Sequence, residues 1–435
     1  MTADLTIPKM IPNLISNSIS DRFDLKVGVN GDRLNRRIEQ LAKIGKQPSG
    51  CIKRLAFTSD DIQARYLVQQ WMSEAGMTLR TDAAGNLIGS YAGTEADLPA
   101  FATGSHIDTV PSGGKYDGVL GVLAGIEVVQ TLHEQNRRLK HPLEVIVFTD
   151  EESTMIGSQA MAGTALLNEP ERYQPSPGDS IQDCLERIGG DWNALATARR
   201  DRTQIGAFIE LHVEQGAVLE TTGNQIGVVQ GVVGIRRLLI TITGKANHAG
   251  TTPMTLRQDA LVAAAQVVLA VRNTARRMES QPVSTVGYLT VSPNSVNSIA
   301  EEVQLTVDMR DLSKDVLEEM TDRLQQDLHF IALDTDTAIE TAPLLTVEPT
   351  PAAKPIQRTI ASVCQQLNLS HCSLPSRAGH DSLEIGRVTN MGMIFVPSQA
   401  GISHSETEYT SPEDCVNGAN VLLHTLLKLD GMQNS

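Results

Sequence analysis

The sequence predicts an α/β protein in which a mixed, mostly parallel sheet flanked by helices is interrupted by an inserted α+β sandwich. Three observations carry this. Short apolar runs recur along the chain and end in possible metal donors, as buried parallel strands do where ligands gather at the carboxyl edge of a sheet. Between about residues 223 and 340 the pattern changes to apolar–polar alternation, which suits half-exposed antiparallel strands. At 435 residues the chain also exceeds what one typical core organises. The expected division is 23–222 plus 341–435 for a metal-binding domain and 223–340 for an inserted domain.

Taken in order, residues 1 to about 22 have no period and are expected to form an arm. From Asp32, the positions Leu34, Ile38, Leu41 and Ile44 recur at helical spacing, and Gly45 ends the helix. Thr58 to Asp61 reads as a capping box before Ile62, Leu67, Trp71 and Ala75, closed by Gly76. Trp71 and Met72 belong to the core. Phe101–Thr103 then leads to His106, and Leu143–Thr149 to Asp150, Glu151 and Glu152. Phe208–Leu211 leads to His212, and Met393–Val396 to His404. Helical patterns at Val119–Leu132 and Val416–Leu429 supply the cover of a parallel sheet. Inside the insert, Ile240–Thr243 and Val303–Arg310 alternate, with helices near Ala260–Val271 and Val316–Leu328. Thr341–Lys354, rich in Pro and Thr, reads as a linker.

Composition narrows the function classes. A formal net charge of -15 and 3% aromatic content argue against nucleic acid, which needs a basic surface or stacking platforms. No apolar run is long enough to cross a bilayer, and no secretory h-region is evident, so a cytoplasmic protein is expected. The cysteines (Cys51, Cys184, Cys364, Cys372 and Cys415) contain no C-x-x-C and read as small buried hydrophobes.

The stretch GSHIDTVPSGGKYDGVLG, Gly104 to Gly121, sets His106 and Asp108 at a strand end and Asp117 on a Gly-rich loop. By itself a His-x-Asp equally suits a loop histidine bonded to its neighbour; donors matched at other strand ends decide for a metal site. Two cations about 3.5 to 4 Å apart need a shared carboxylate, and Asp117 is the natural bridge. His106 and His212 would complete one shell, Glu152 and His404 the other. Imidazole and carboxylate ligands suit zinc, manganese, cobalt or nickel. Asp108 is expected to fix the tautomer of His106 through its far ring nitrogen. Neighbouring side chains of an extended segment point to opposite sides, so Glu152 can hold metal while Glu151 faces substrate. Glu151 would then be the general base, taking a proton from activated water and passing it to the leaving nitrogen. By spacing alone, His248 in GKANHAGTTP, Asn297 and Arg310 are compatible with surface polar residues or with a substrate-binding lid, Arg310 being suited to a carboxylate. His133, His141, His329, His371 and His424 have no ligand-like context.

The motifs GSHIDTVPSGGKYDGVLG, TDEE, ELHVEQG, GKANHAGTTP, MRD and GISHSE, in this order over residues 30 to 430, resemble the M20-type metallopeptidase superfamily. Within it the chain is similar to the hydantoinase/carbamoylase amidase family, which includes N-carbamoyl-L-amino acid hydrolases, allantoate amidohydrolases and β-ureidopropionases. The resemblance implies a zinc-peptidase-like catalytic domain interrupted by a lid or dimerisation domain (residues 223–340), a homodimer and two divalent ions, zinc foremost. It implies His106, Asp117, Glu152, His212 and His404 as ligands and Glu151 as base. It further implies Gln215, His248, Asn297 and Arg310 as substrate contacts. His248 would reach across from a second subunit to polarise the carbamoyl oxygen, and Arg310 would hold a small-molecule carboxylate. His380 is expected to support the ligands from outside. The reaction the resemblance implies is cleavage of the C–N bond of N-carbamoyl groups on small carboxylates, N-carbamoyl-L-amino acids foremost. The alternatives are an allantoate amidohydrolase or a β-ureidopropionase, then an aminoacylase or dipeptidase of the superfamily, and beyond it a metal-binding or ligand-binding relative without catalysis. The chain departs from the family pattern after Glu152 (STMIGSQAMAGT), at Arg377 in SRAGHD, where relatives often have glycine, and at Glu406 in SHSETEYT, where they often have proline.

Overall fold

A computed structural model describes residues 27–176 and 178–432. The arm expected over residues 1–22 lies outside them. The first strands are β1 (Thr78–Thr81), β2 (Leu87–Tyr91), β3 (Ala100–His106), β4 (Leu143–Phe148), β5 (Ile205–Val213) and β6 (Ile226–Val232). Four more, β7 (Gly234–Thr243), β8 (Val283–Ser292), β9 (Glu302–Asp311) and β10 (Ala338–Val347), precede β11 (Thr350–Pro351), β12 (His371–Ser376) and β13 (Asn390–Val396).

The larger sheet runs β1-β2-β4-β3-β5-β13-β6-β11, with β12 also paired to β6. Its centre, β4-β3-β5-β13, is wholly parallel, so the four expected donor-bearing runs end on one edge. These strands are buried on both faces, which explains why they read as continuous apolar runs rather than alternating ones. On one face lie the helices Gly31–Leu41, Val119–Glu134, Lys354–Gln366 and Pro412–Met432, contributing Leu34, Leu123, Ile360 and Leu422 to the core. On the other, Met161, Leu219 and Leu383 pack with Phe148 and Phe208. Trp71 and Met72 are buried, on the helix Ser59–Glu74 whose first turn Thr58 caps by accepting the Asp61 N–H.

The smaller sheet, β10-β7-β9-β8, is antiparallel throughout. β9 alternates buried and accessible residues along its length, and the helices Ala260–Arg276 and Lys314–Thr335 cover its apolar face. Strand pairing moves the expected boundaries. β6 joins the larger sheet, although residues 223–232 were expected in the insert, and Thr341–Val347, read as linker, is the second half of β10. Pro and Thr misled here because β10 is an edge strand, where an imino acid such as Pro343 disturbs only one side of the pairing.

Candidate metal centre

The parallel strands bring the donors together because each ends at the same level and its chain then turns sharply. Asp150, Gln215 and His404 all adopt left-handed backbone with φ between 54 and 57°, a region costly for residues with a Cβ and typical of constrained sites. Gly118 makes a related allowance. Its φ is 66°, and a Cβ there would lie 2.5 Å from the His106 ring, so the loop after Asp117 can close over that imidazole only with glycine.

Asp117 sits at the middle. Its Oδ1 lies 3.2 Å from His212 Nε2 and 3.7 Å from His106 Nε2, while its Oδ2 lies 3.1 Å from His404 Nε2. Glu152 Oε2 is 3.6 Å from His404 Nε2. The donors thus form two sets, His106–Asp117–His212 and Asp117–Glu152–His404, that share one carboxylate. Separations of this size match ligand atoms around a common cation, which stand about 3.4 Å apart when bonds are near 2.1 Å and tetrahedral. The ring nitrogens facing away are pinned. His106 Nδ1–H donates to the Asp108 carbonyl (3.0 Å) and His212 Nδ1–H to the Val213 carbonyl (2.8 Å), so Nε2 is the ring nitrogen each turns toward Asp117, and the Gly118 N–H also reaches His212 Nε2 at 3.1 Å. The residues therefore fit two divalent ions bridged by Asp117.

Asp108 acts differently from expectation. Its main-chain carbonyl holds the imidazole, while its carboxylate is 3.8 Å away and accepts the Glu152 N–H at 3.2 Å instead. The tight turn after β3 folds the carbonyl back under the ring and leaves the side chain to the acidic turn after β4. Glu151 places Oε2 3.5 Å from His106 Nε2. Burial and then the neighbouring Glu152 carboxylate push the Glu151 carboxyl well above its ordinary range. Burial and then Asp117 likewise push Glu152 up to about 7.

Gln215, expected to touch substrate, donates from Nε2 to Asp117 Oδ2 (2.8 Å) and keeps a buried Oε1 with no partner. His380 is buried with its ring 4.4 Å from that of His212, and shares a 2.8 Å hydrogen bond with Ser376 Oγ. Burial, then His212, hold it well below the usual histidine range, in the neutral form. No hydrogen bond or ion pair among the described residues joins His248, Asn297 or Arg310 to the cluster. His248 and Asn297 are exposed and lie close together through a bridge between His248 and Ser298, and Arg310 pairs with Asp308 at 2.8 Å. His141, excluded as a ligand, stacks on Phe101.

A family model for peptidase family M20/M25/M40 matches residues 102–428. The chain belongs to that M20/M25/M40 peptidase family. An N-carbamoyl-L-amino acid amidohydrolase of Geobacillus stearothermophilus is 41% identical over 92% of this chain and 99% of its own. An allantoate amidohydrolase of Bacillus subtilis is 34% identical over 90% and 96%. The crystal structure of an amidase of the hydantoinase/carbamoylase family from Burkholderia multivorans superposes with a TM-score of 0.87 at 36% identity, covering 93% of this chain and 98% of that one. Like its M20 relatives this chain is a hydrolase of amide C–N bonds.

Two supports of this M20 centre escaped sequence reasoning. Glu408 Oε1 accepts the Tyr116 and Asp117 N–H groups (2.8 and 3.2 Å), and the single hydroxyl proton of Ser403 stands between Glu408 Oε2 (3.0 Å) and Asp117 Oδ2 (3.2 Å). Glu210, beneath His212, accepts from Ser105 Oγ (2.7 Å) and from both N–H and Oγ of Ser382. The Glu408 signal was its place four residues past His404. Glu210 left none, because a carboxylate inside a buried strand shows its partners only in three dimensions.

Proposed function

We propose that the protein is a binuclear metal-dependent amidohydrolase that cleaves the C–N bond of N-carbamoyl groups on small carboxylates, foremost N-carbamoyl-L-amino acids. Hydrolysis of such a ureido acid by water gives the amino acid, ammonia and carbon dioxide. The observation that carries this reading is the sharing of Asp117 by two donor sets with the Glu151 carboxylate 3.5 Å from one of them. His106, Asp117 and His212 would hold one ion, Asp117, Glu152 and His404 the other. Zinc is the first choice, and manganese, cobalt and nickel suit the same donors. Bound divalent ions would polarise the amide carbonyl and lower the pKa of the attacking water.

The chain's own groups do the rest. Glu151 takes the proton of the attacking water and delivers it to the leaving nitrogen, its Oε2 standing 3.5 Å from His106 Nε2 at the edge of the donor cluster. Gln215 offers its unpartnered Oε1 to a substrate N–H. His248 Nδ1 accepts the N–H groups of Gly250 and Thr251 (3.0 and 3.2 Å), so its proton sits on Nε2, ready to donate to a developing oxyanion. Asn297 accepts the Ala249 N–H on its carbonyl (2.9 Å), which keeps it beside His248 as a second donor. Arg310 forks onto the substrate carboxylate.

Within one chain His248 has no contact with the donor cluster among the described residues, and a homodimer would supply it. The smaller sheet supports this, since its edge strands β8 and β10 expose Tyr288, Leu289 and Leu344. No helix among the described residues is long and apolar enough to cross a membrane. A cytoplasmic location is supported by the free state of all five cysteines. The relative that acts on allantoate, by its name, makes allantoate the second candidate substrate. The test is ammonia release by metal-loaded protein from a panel of N-carbamoyl amino acids, N-carbamoyl-β-alanine, allantoate, N-acetyl amino acids and dipeptides. Carbamoyl substrates are expected to lead; no release from any of them, or faster turnover of an acetyl or peptide substrate, overturns the reading.

A further inference from the structure

Where the insert meets the larger sheet, a cavity of about 690 Å³ is lined from the insert by Arg310 and Asp311 and from the sheet side by Lys354 and Arg377. Its charge is unusual for a chain of net charge -15. Asp311 is already committed, accepting from Ser280 Oγ at 2.8 Å and from the Ser313 N–H at 2.7 Å. Arg310 has Asp308 as its counter-ion. Arg377 and Lys354 have none: neither makes an ion pair among the described residues. Among the described residues the Arg377 guanidinium donates only to the Gln281 carbonyl (3.2 Å), which uses one of its five donors.

Arg377 is also held in place with respect to both halves of the site. Its carbonyl accepts from Arg310 NH1 at 2.7 Å, so the two arginines are locked side by side across the domain junction. Three residues on, His380 packs its ring 4.4 Å from that of His212, and Ser376, immediately before Arg377, shares a hydrogen bond with His380. Three residues of chain span at most about 11 Å. A small molecule whose carbamoyl end is at the donor cluster and whose carboxylate is on Arg310 would thus lie within reach of Arg377.

We propose that Arg377, with Lys354, makes this junction a second anion subsite, and that the substrates of this enzyme are ureido acids carrying a second carboxylate at the far end. The inference rests on the carbamoyl-hydrolase reading and on Arg310 receiving the first carboxylate. An arginine without a carboxylate partner at a half-open junction gains a charge-assisted, two-point contact when such a group arrives, and gains much less from an apolar side chain.

The experiment has two arms. In the first, kcat/KM is measured for N-carbamoyl-L-aspartate and N-carbamoyl-L-glutamate against N-carbamoyl-L-alanine, N-carbamoyl-L-methionine and allantoate, for the metal-loaded wild type and for Arg377→Gln. The expected result is a wild-type preference for the dicarboxylates of about tenfold or more, falling by a similar factor in Arg377→Gln chiefly through KM. Equal use of mono- and dicarboxylates, a preference for allantoate, or a ratio unmoved by the substitution overturns the proposal. In the second arm, calorimetry compares binding of succinate and of acetate to both proteins. Selective succinate binding that weakens in Arg377→Gln is expected even if no ureido acid is hydrolysed, an outcome that would sink the carbamoyl reading and leave the anion subsite standing. Succinate binding equal in both proteins overturns the subsite. Unfolding temperature and metal content serve as the check that Arg377→Gln folds.

Discussion

The donor cluster and the insert's polar residues are built to opposite specifications. His106, Asp117 and His212 are buried and close-packed, and each is fixed by at least one hydrogen bond or by a neighbouring strand. His248 and Asn297 are exposed, and their hydrogen bonds stay within their own loops. The first set can be complete in a single rigid layer because parallel strands end together. Under the proposed function the second would be delivered by movement of the insert or by another subunit, since no contact among the described residues joins it to the cluster. On that reading catalysis would divide into a part that is preorganised and a part that arrives with substrate.

The largest effect should come from the preorganised side. Asp117→Ala removes the carboxylate shared by both donor sets, so metal content should fall from about two ions per chain to less than one, with activity lost altogether. Elemental analysis beside an activity assay checks this, and full metal occupancy in the variant would break the contrast. Glu151→Gln should lower kcat by about a thousandfold while leaving metal content unchanged, because the amide keeps the shape but cannot take a proton. On the insert, His248→Ala should cost about a hundredfold in kcat at unchanged metal content. If His248 acts across subunits, mixing it with inactive Glu151→Gln protein should restore part of the activity through mixed dimers; no restoration would place His248 within its own chain's site.

The smallest effect sharpens the electrostatic side of the comparison. Without a cation, the hydrogen bond to Asp117 raises His404 to about 9; burial alone would lower His106, but Asp108, Glu152 and Asp117 outweigh it and raise it to about 9. Both imidazoles are then protonated at pH 7.5 and must lose a proton to bind metal. Metal affinity should therefore rise with pH up to about 9 and fall below it, with protons released on loading. Calorimetry in buffers of different ionisation enthalpy measures that release, and an enthalpy independent of buffer would count against it.

Much of the site was legible in one dimension because its chemistry is local to strand ends. His106, Glu151 and Glu152, His212 and His404 each follow an apolar run, and a parallel sheet turns that linear regularity into spatial convergence. Sheet membership was harder to read. β6 and β10 were assigned across the wrong boundary, since pairing between residues such as Thr346 and Arg236 leaves no mark on either segment alone.

By itself, then, the sequence determined which candidate donors would gather at one edge of the sheet, and that the strands bearing them are buried and parallel. Only the tertiary structure decided that Asp108 holds His106 through its carbonyl, that Glu408 and Glu210 brace the cluster, and that Arg377 stands unpaired beside Arg310. The reason is physical. Burial and period are written in neighbouring residues, whereas a hydrogen bond or an unmatched charge depends on which distant segment the fold sets opposite.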